Sequence, residues 1–192
     1  LVPICARAER LPLKAYTVAE GLPNNVINKI VRDSRGFLWF CTGEGLSRFD
    51  GYSFTNYGVD QGLPHTTVND FLETRSGELW VATNGGLARF NPKGEPTARV
   101  VFANDQAQPA PMFTVVVPED EDRGARAANV LIEDRNGTIW CGTMKHLYRL
   151  ERNENRFKLV PVDLGTHEVF ILDLLEDRGG SLWIGSFSGL YC

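Results

Sequence analysis

The feature that most constrains this chain is a segment that occurs four times. It reads D-S-R-G-F-L-W-F-C-T-G-E-G-L at 33–46 and T-R-S-G-E-L-W-V-A-T-N-G-G-L at 74–87. It returns as D-R-N-G-T-I-W-C-G-T-M-K-H-L at 134–147 and D-R-G-G-S-L-W-I-G-S-F-S-G-L at 177–190. A repeat with a period of ~40 residues demands a modular fold, in which each copy buries its apolar face only against a neighbour. The columns are well aligned. Gly36, Gly77, Gly137 and Gly180 are followed three residues later by Trp39, Trp80, Trp140 and Trp183, and then by Thr42, Thr83, Thr143 and Ser186. Leu46, Leu87, Leu147 and Leu190 close the segment. Upstream, Ile27, Val68, Ala128 and Ile171 form one apolar column, and Ile30, Phe71, Leu131 and Leu174 another.

Each unit divides into short apolar runs split by Gly, Asp and Asn. In unit one the predicted strands are 26–32, 37–42, 45–49 and 52–57, with Asp50-Gly51 as a strong hairpin dipeptide. In unit two they are 67–73, 78–83, 86–90 and 98–102. Unit three has 127–133, 138–143, 146–150 and 156–160, and unit four has 169–175, 181–186 and a third strand starting at Gly189. A further short strand is expected at 13–18, belonging to another unit. Strands at this spacing form antiparallel meanders. Four-stranded meanders repeated at this period predict an all-β fold, a β-propeller, with Trp as the wedge between blades.

The units lie near 25–60, 61–102, 127–161 and 168–192. An insertion near 103–126 carries Pro109, Pro111 and Pro118, an acidic run at 119–122, and an apolar stretch at 112–117 fit for an extra strand. About four blades are therefore expected, as a fragment of a larger ring. A closed four-bladed ring, completed by 13–18, is the alternative.

Composition narrows the class. The chain is 43% hydrophobic and 23% charged, ordinary globular values. A net charge of −4 lacks the basic footprint of a nucleic-acid binder. No run of ~18 apolar residues is present, so no membrane-spanning helix is expected. Apolar residues 1–5 followed by Ala6-Arg7-Ala8 read as the remnant of a secretory signal peptide, which predicts cleavage after Ala8, export, and a mature propeller region of 9–192. The four cysteines do not form a disulfide framework. Cys5 would leave with the signal, and Cys41 and Cys141 occupy different units at positions of opposite facing. Both are expected to be small buried residues.

At 27–49 the pattern I-x-x-I-x-x-D-x-x-G-x-L-W-x-x-T-x-x-G-L-x-R-F resembles the two-component regulator propeller repeat. The resemblance runs through most of 20–192, with Thr74 in place of the turn Asp and His146 in place of a Gly. The sialidase Asp-box fits worse because Asp33 stands three before Gly36. The quinone-enzyme repeat fits worse because Arg32, Glu73, Glu133 and Glu176 occupy its alanine position. The resemblance implies the periplasmic sensor region of a hybrid two-component or sensor histidine kinase, a phosphorelay protein anchored in a membrane. It also implies a seven-bladed ring, with the rest of that parent propeller and the signalling domains as partners. In glycan-responsive members the signal is an oligosaccharide.

No catalytic, cofactor or metal-ligating constellation stands out. His65, His146 and His167 lack metal-ligand spacing, and no nucleophile elbow, phosphate loop or H-E-x-x-H is present. The recurring Asp33, Asp134 and Asp177 are read as turn residues accepting backbone N–H groups. The four tryptophans are read as packing. A ligand breaks pseudo-symmetry, so the candidates are irregular positions: Lys145 and exposed His146, the insertion, and the loops at 24–25 and 65–66. Asn28, Asn69 and Asn129 share one column, either as bonds between blades or as the lining of a central channel. The expected function is recognition of a small-molecule or oligosaccharide signal, with a homodimer among the expected assemblies and no nucleic-acid partner. A secreted propeller enzyme (lyase or hydrolase) and a protein-binding scaffold are the alternatives.

Overall fold

Each repeat folds into one antiparallel sheet. The structure is a computed structural model that describes residues 12–97, 100–102, 110–120, 122–153, 156–166 and 168–192. The expected signal remnant, with Cys5, and also His167 lie outside the described residues. Sheet one holds β1 (Ile27–Arg32), β2 (Leu38–Thr42), β3 (Gly45–Phe49) and β4 (Phe54–Tyr57). Sheet two holds β5 (Val68–Glu73), β6 (Leu79–Thr83), β7 (Gly86–Phe90) and β8 (Phe113–Val116). Sheet three holds β9 (Ala128–Glu133), β10 (Ile139–Thr143), β11 (Leu147–Asn153) and β12 (Arg156–Val162). Sheet four holds β13 (Ile171–Glu176), β14 (Leu182–Ser186) and β15 (Gly189–Tyr191). Strand order follows chain order or its reverse in every sheet, as a propeller blade requires.

The turn column works through backbone geometry. Gly45 has φ +127°, and a Cβ there would lie 2.6 Å from the Tyr57 carbonyl oxygen, so the hairpin between β2 and β3 requires glycine.

The tryptophans wedge the joints. Trp39 lies flat on Phe71 of the next blade, ring centroids 4.5 Å apart and planes 15° apart. One core joins Trp39, Cys41 and Leu46 of blade one to Val68, Phe71 and Val81 of blade two. A second joins Trp80 and Leu87 to Leu131, Tyr148 and Phe157, and a third joins Val130 and Leu147 to Ile171, Leu174 and Ile184. The Trp face of each blade therefore meets the next blade, and the Ile30 column meets the preceding one. At the two ends these faces stay open, and Ile30 and Trp183 are exposed.

Three expectations need correction. Residues 13–18 form no strand: Val18–Glu20 is a 3-10 turn capped by Thr17 and Glu20. Tyr16 packs edge-on against Phe49 and Phe54, so the segment covers blade one, and among the described residues the third strand of blade four pairs only with its second. The fourth strand of blade two is Phe113–Val116, not 98–102. The apolar stretch of the insertion takes that edge because Phe113 and Val115 insert fully into the blade. Phe102 only bridges Val115 in parallel beyond it. The insertion thus opens within blade two, between β7 and β8, and α1 (Arg123–Arg126) leads on into blade three.

Candidate functional site

A meander sends alternate connections to opposite rims. The turn between the first two strands of a blade and the turn between its last two share one rim. The turn between strands two and three shares the other with the connection to the next blade.

The first rim is regular. The turn aspartates do more than cap the backbone. Asp33 accepts the N–H groups of Arg35 and Phe37 through Oδ1, at 3.0 and 2.9 Å, and the Trp39 indole N–H through Oδ2 at 3.0 Å. Asp134 and Asp177 accept the Trp140 and Trp183 indoles, each at 2.9 Å. Burial opposes ionisation of Asp33, but the Trp39 and Phe37 donors and Arg35 outweigh it and hold the carboxyl below its ordinary range. The recurring Asp-to-Trp spacing was the available signal for this bond. In blade two, Thr74 cannot reach the indole, and Trp80 Nε1 is buried with no partner among the described residues.

The central strands carry the Asn column. Each Asn sits at a β-bulge of its innermost strand. Asn28 donates to the Val68 carbonyl at 2.7 Å, Asn69 to Ala128 at 2.8 Å and Asn129 to Ile171 at 3.1 Å. Each amide therefore ties one blade to the next. The same strands hold a group missed in the sequence. Asp70 accepts Lys29 Nζ at 2.8 Å from blade one and the Leu131 N–H at 2.9 Å from blade three. Burial raises the Asp70 carboxyl and Lys29 opposes the rise. The column Lys29, Asp70, Val130 and Asp173 breaks the repeat, and that irregularity marks it in the sequence. Cys41 and Cys141 are buried free thiols, and burial pushes Cys141 up to about 12, so both are unreactive.

The second rim is irregular, and its irregularity gathers at blade three. Asn24, Asn25 and His65 are occupied locally, accepting the N–H groups of Val26, Val18 and Thr67. Lys145 binds Glu168 at 2.6 Å and Asp122 at 3.3 Å, joining the connections on both sides of its blade. The Glu168 bond, reinforced by Asp122, raises its ammonium above the ordinary lysine range. His146 stands where Gly45, Gly86 and Gly189 stand in the other blades. It is half-buried rather than exposed, because its ring packs edge-on against Tyr148 at 6.0 Å. Two clefts flank it. One of ≈ 280 Å³ runs along Lys145, Leu147, Pro161, Asp163 and Val169. The other, of ≈ 220 Å³, runs along Glu119, Asp120, Tyr148, Lys158 and Pro161. Burial, then the charges of Asp120, Cys141 and Asp122, push the Tyr148 phenol up to about 12, so it stays protonated. The walls thus combine imidazole, phenol, carboxylate and ammonium groups with the apolar surface of Pro161. That mixture suits reversible hydrogen bonding to a small polar molecule. Lys145 and His146 are brought together here, whereas Asn28, Asn69 and Asn129 lie at three separate joints.

The sequence model described as "Two component regulator propeller" matches residues 21–44 and 62–85. No curated protein sequence matches the chain. Among solved structures, an extracellular domain assigned to a hybrid two component system of B. thetaiotaomicron superposes with TM-score 0.68 at 20% identity, covering 93% of this chain and 23% of its own. A second, assigned to a one component system of the same organism, gives TM-score 0.67 at 20% identity, covering 95% and 22%. Virginiamycin B lyase from Staphylococcus aureus gives TM-score 0.59 at 16% identity, covering 84% and 53%. The chain spans less than a quarter of the length of the two extracellular domains. Its fold is theirs, and two of its four repeats match the two-component regulator propeller model.

Proposed function

We propose that this chain is part of an extracytoplasmic sensor propeller, and that the blade-three rim around His146 takes up the signal molecule. One observation carries the reading: the turn that departs most from the repeat, at Lys145–His146, is also the turn flanked by two clefts. Lys145 links this rim to both neighbouring connections, so a ligand that draws it from Glu168 or Asp122 favours a different packing of those joints. Such a differential interaction is what a signal requires. The downstream output is a histidine kinase or another signalling domain of the parent protein.

The test is a thermal-shift screen against small polar molecules and oligosaccharides. A ligand at ~100 times its Kd stabilises by about 2.7 kcal/mol. His146→Ala and Lys145→Ala are expected to abolish that shift while leaving the unliganded melt nearly unchanged. A shift that survives both substitutions would place the binding site elsewhere. The likeness to virginiamycin B lyase supports a second, enzymatic reading, which the same screen tests by following whether the stabilising molecule is consumed.

A further inference from the structure

The regular rim is interrupted at blade two. In blades one and three the turn between the last two strands is tight, closed by Asp50 with Ser53 and by Asn153 with Arg156. In blade two the same turn opens into the insertion. The base of that opening is tied by its backbone. Asn91 N–H donates to the Met112 carbonyl at 2.7 Å, Met112 N–H to Glu95 at 2.8 Å and Glu95 N–H to Ala110 at 2.9 Å. A Cβ on Gly94 would collide with the Pro111 carbonyl, so the two arms lie backbone to backbone.

These arms line a cleft of ≈ 560 Å³, larger than either cleft beside His146. The turn between the first two strands of blade two lines it as well, and Arg35 reaches it from blade one. Leu79, Phe90 and Pro111 give it an apolar surface. A volume of this size falls in the range of small-molecule sites, about 300–1,000 Å³.

The polar groups of the cleft differ in what they leave free. Glu73 accepts the Ser34 N–H at 2.5 Å and the Ser34 hydroxyl at 2.7 Å. The first of these is a joint bond that Glu133 repeats with Arg75 and Glu176 with Arg135. Glu78 holds Arg89 at 2.8 Å and Arg152 at 3.2 Å. The Asn91 side-chain oxygen accepts the Lys93 N–H at 3.1 Å, and the Ser76 hydroxyl is shared with Thr74 at 2.9 Å. The acceptors are thus engaged, while donors remain. Among the described residues Arg35 bonds only Asp33, and only through Nη2, and the Asn91 amide nitrogen has no partner. A guanidinium offers five N–H donors in a fork that fits a carboxylate. We propose that this cleft is a second binding site, for a small organic acid whose carboxylate meets Arg35 and whose body lies on Phe90 and Pro111. Arg35 belongs to blade one and the other two to blade two, so the bound acid spans that joint. The inference is independent of what the blade-three rim binds.

Amide NMR titration of the whole chain with benzoate tests it, with benzamide as the neutral probe of the same shape. Benzoate is expected to shift the amides of Gly77, Leu79 and Asn91 saturably. Benzamide is expected to bind about tenfold more weakly, because a hydrogen bond to an ionised partner is about twice as strong as a neutral one. Arg35→Ala should weaken benzoate about tenfold and leave benzamide nearly unchanged. Asp33 keeps its backbone and indole bonds in that variant. A second variant leaves the Asp33 turn untouched: Ala110→Asp sets a like charge on the wall and should weaken benzoate alone, again about tenfold. Ala110 is exposed, so this change does not threaten the fold. Equal affinities for benzoate and benzamide would overturn the proposal, as would no saturable shift at the three amides. Shifts confined to the blade-three rim would overturn it too, and would assign the acid to the His146 site instead.

Discussion

Blades one and two use the same wedge with different support. In blade one the buried Trp39 indole meets a carboxylate that also organises the turn and pairs with Arg35. In blade two Thr74 uses its hydroxyl for Ser76 and the backbone of Glu78, so the turn is held but the Trp80 N–H is not. Both rings are fully buried. Wedging is thus a matter of packing, which either turn residue permits. The carboxylate adds satisfaction of a polar group that the packing has cut off from water.

Three comparisons of variants sharpen this contrast. Asp33→Ala has the largest expected effect, since it strands the indole N–H and two backbone donors together. A loss of about 3 kcal/mol is expected in denaturant unfolding, and a loss no larger than that of Thr74→Ala would remove the distinction. The paired substitutions Trp39→Phe and Trp80→Phe come next. Both shrink the wedge, but only the first breaks a bond and leaves a buried carboxylate short of a donor. Trp39→Phe is expected to cost about 1–2 kcal/mol more than Trp80→Phe.

Thr74→Asp has the smallest effect and the opposite sign. It supplies the missing partner and is expected to stabilise by about 1 kcal/mol, roughly 2–4 °C in Tm. The gain should depend on pH. A turn carboxyl held below its unfolded value of about 3.9 contributes stability above that value and loses it as pH falls through the lower folded value. The variant and the unmodified chain should therefore converge below about pH 4 in unfolding curves taken across the acid range.

The blade repeat, the wedge column and the turn column were legible because each is local or periodic. Residues 98–102 and 112–117 were both acceptable edge strands by pattern. The choice between them is made by tertiary packing, since only the second places Phe113 in the joint with blade one and Val116 in the joint with blade three. Residues 13–18 alternate like a strand, but Tyr16 packs on Phe49 and Phe54 and Thr17 caps the 3-10 turn, so the segment joins no sheet. The column Arg32, Glu73, Glu133 and Glu176 was visible as a pattern, yet its meaning required knowing which turn lies beside it in the neighbouring blade. At the candidate site, Lys145 and His146 were found by asking where the repeat breaks. Asp122 was found only as part of the insertion, and Tyr148 and Glu168 were not found, because nothing local marks a residue as the wall of a cleft formed by three connections.

Asp70 has a consequence for the order of unfolding. A single buried carboxylate takes bonds from three successive blades, whereas most contacts in a repeat array reach only the adjacent unit. Separating any one of the first three blades leaves that charge in an apolar setting without part of its support, which couples their opening. Blade four lies outside the triad. The first three blades should therefore open as one cooperative foldon in amide hydrogen exchange.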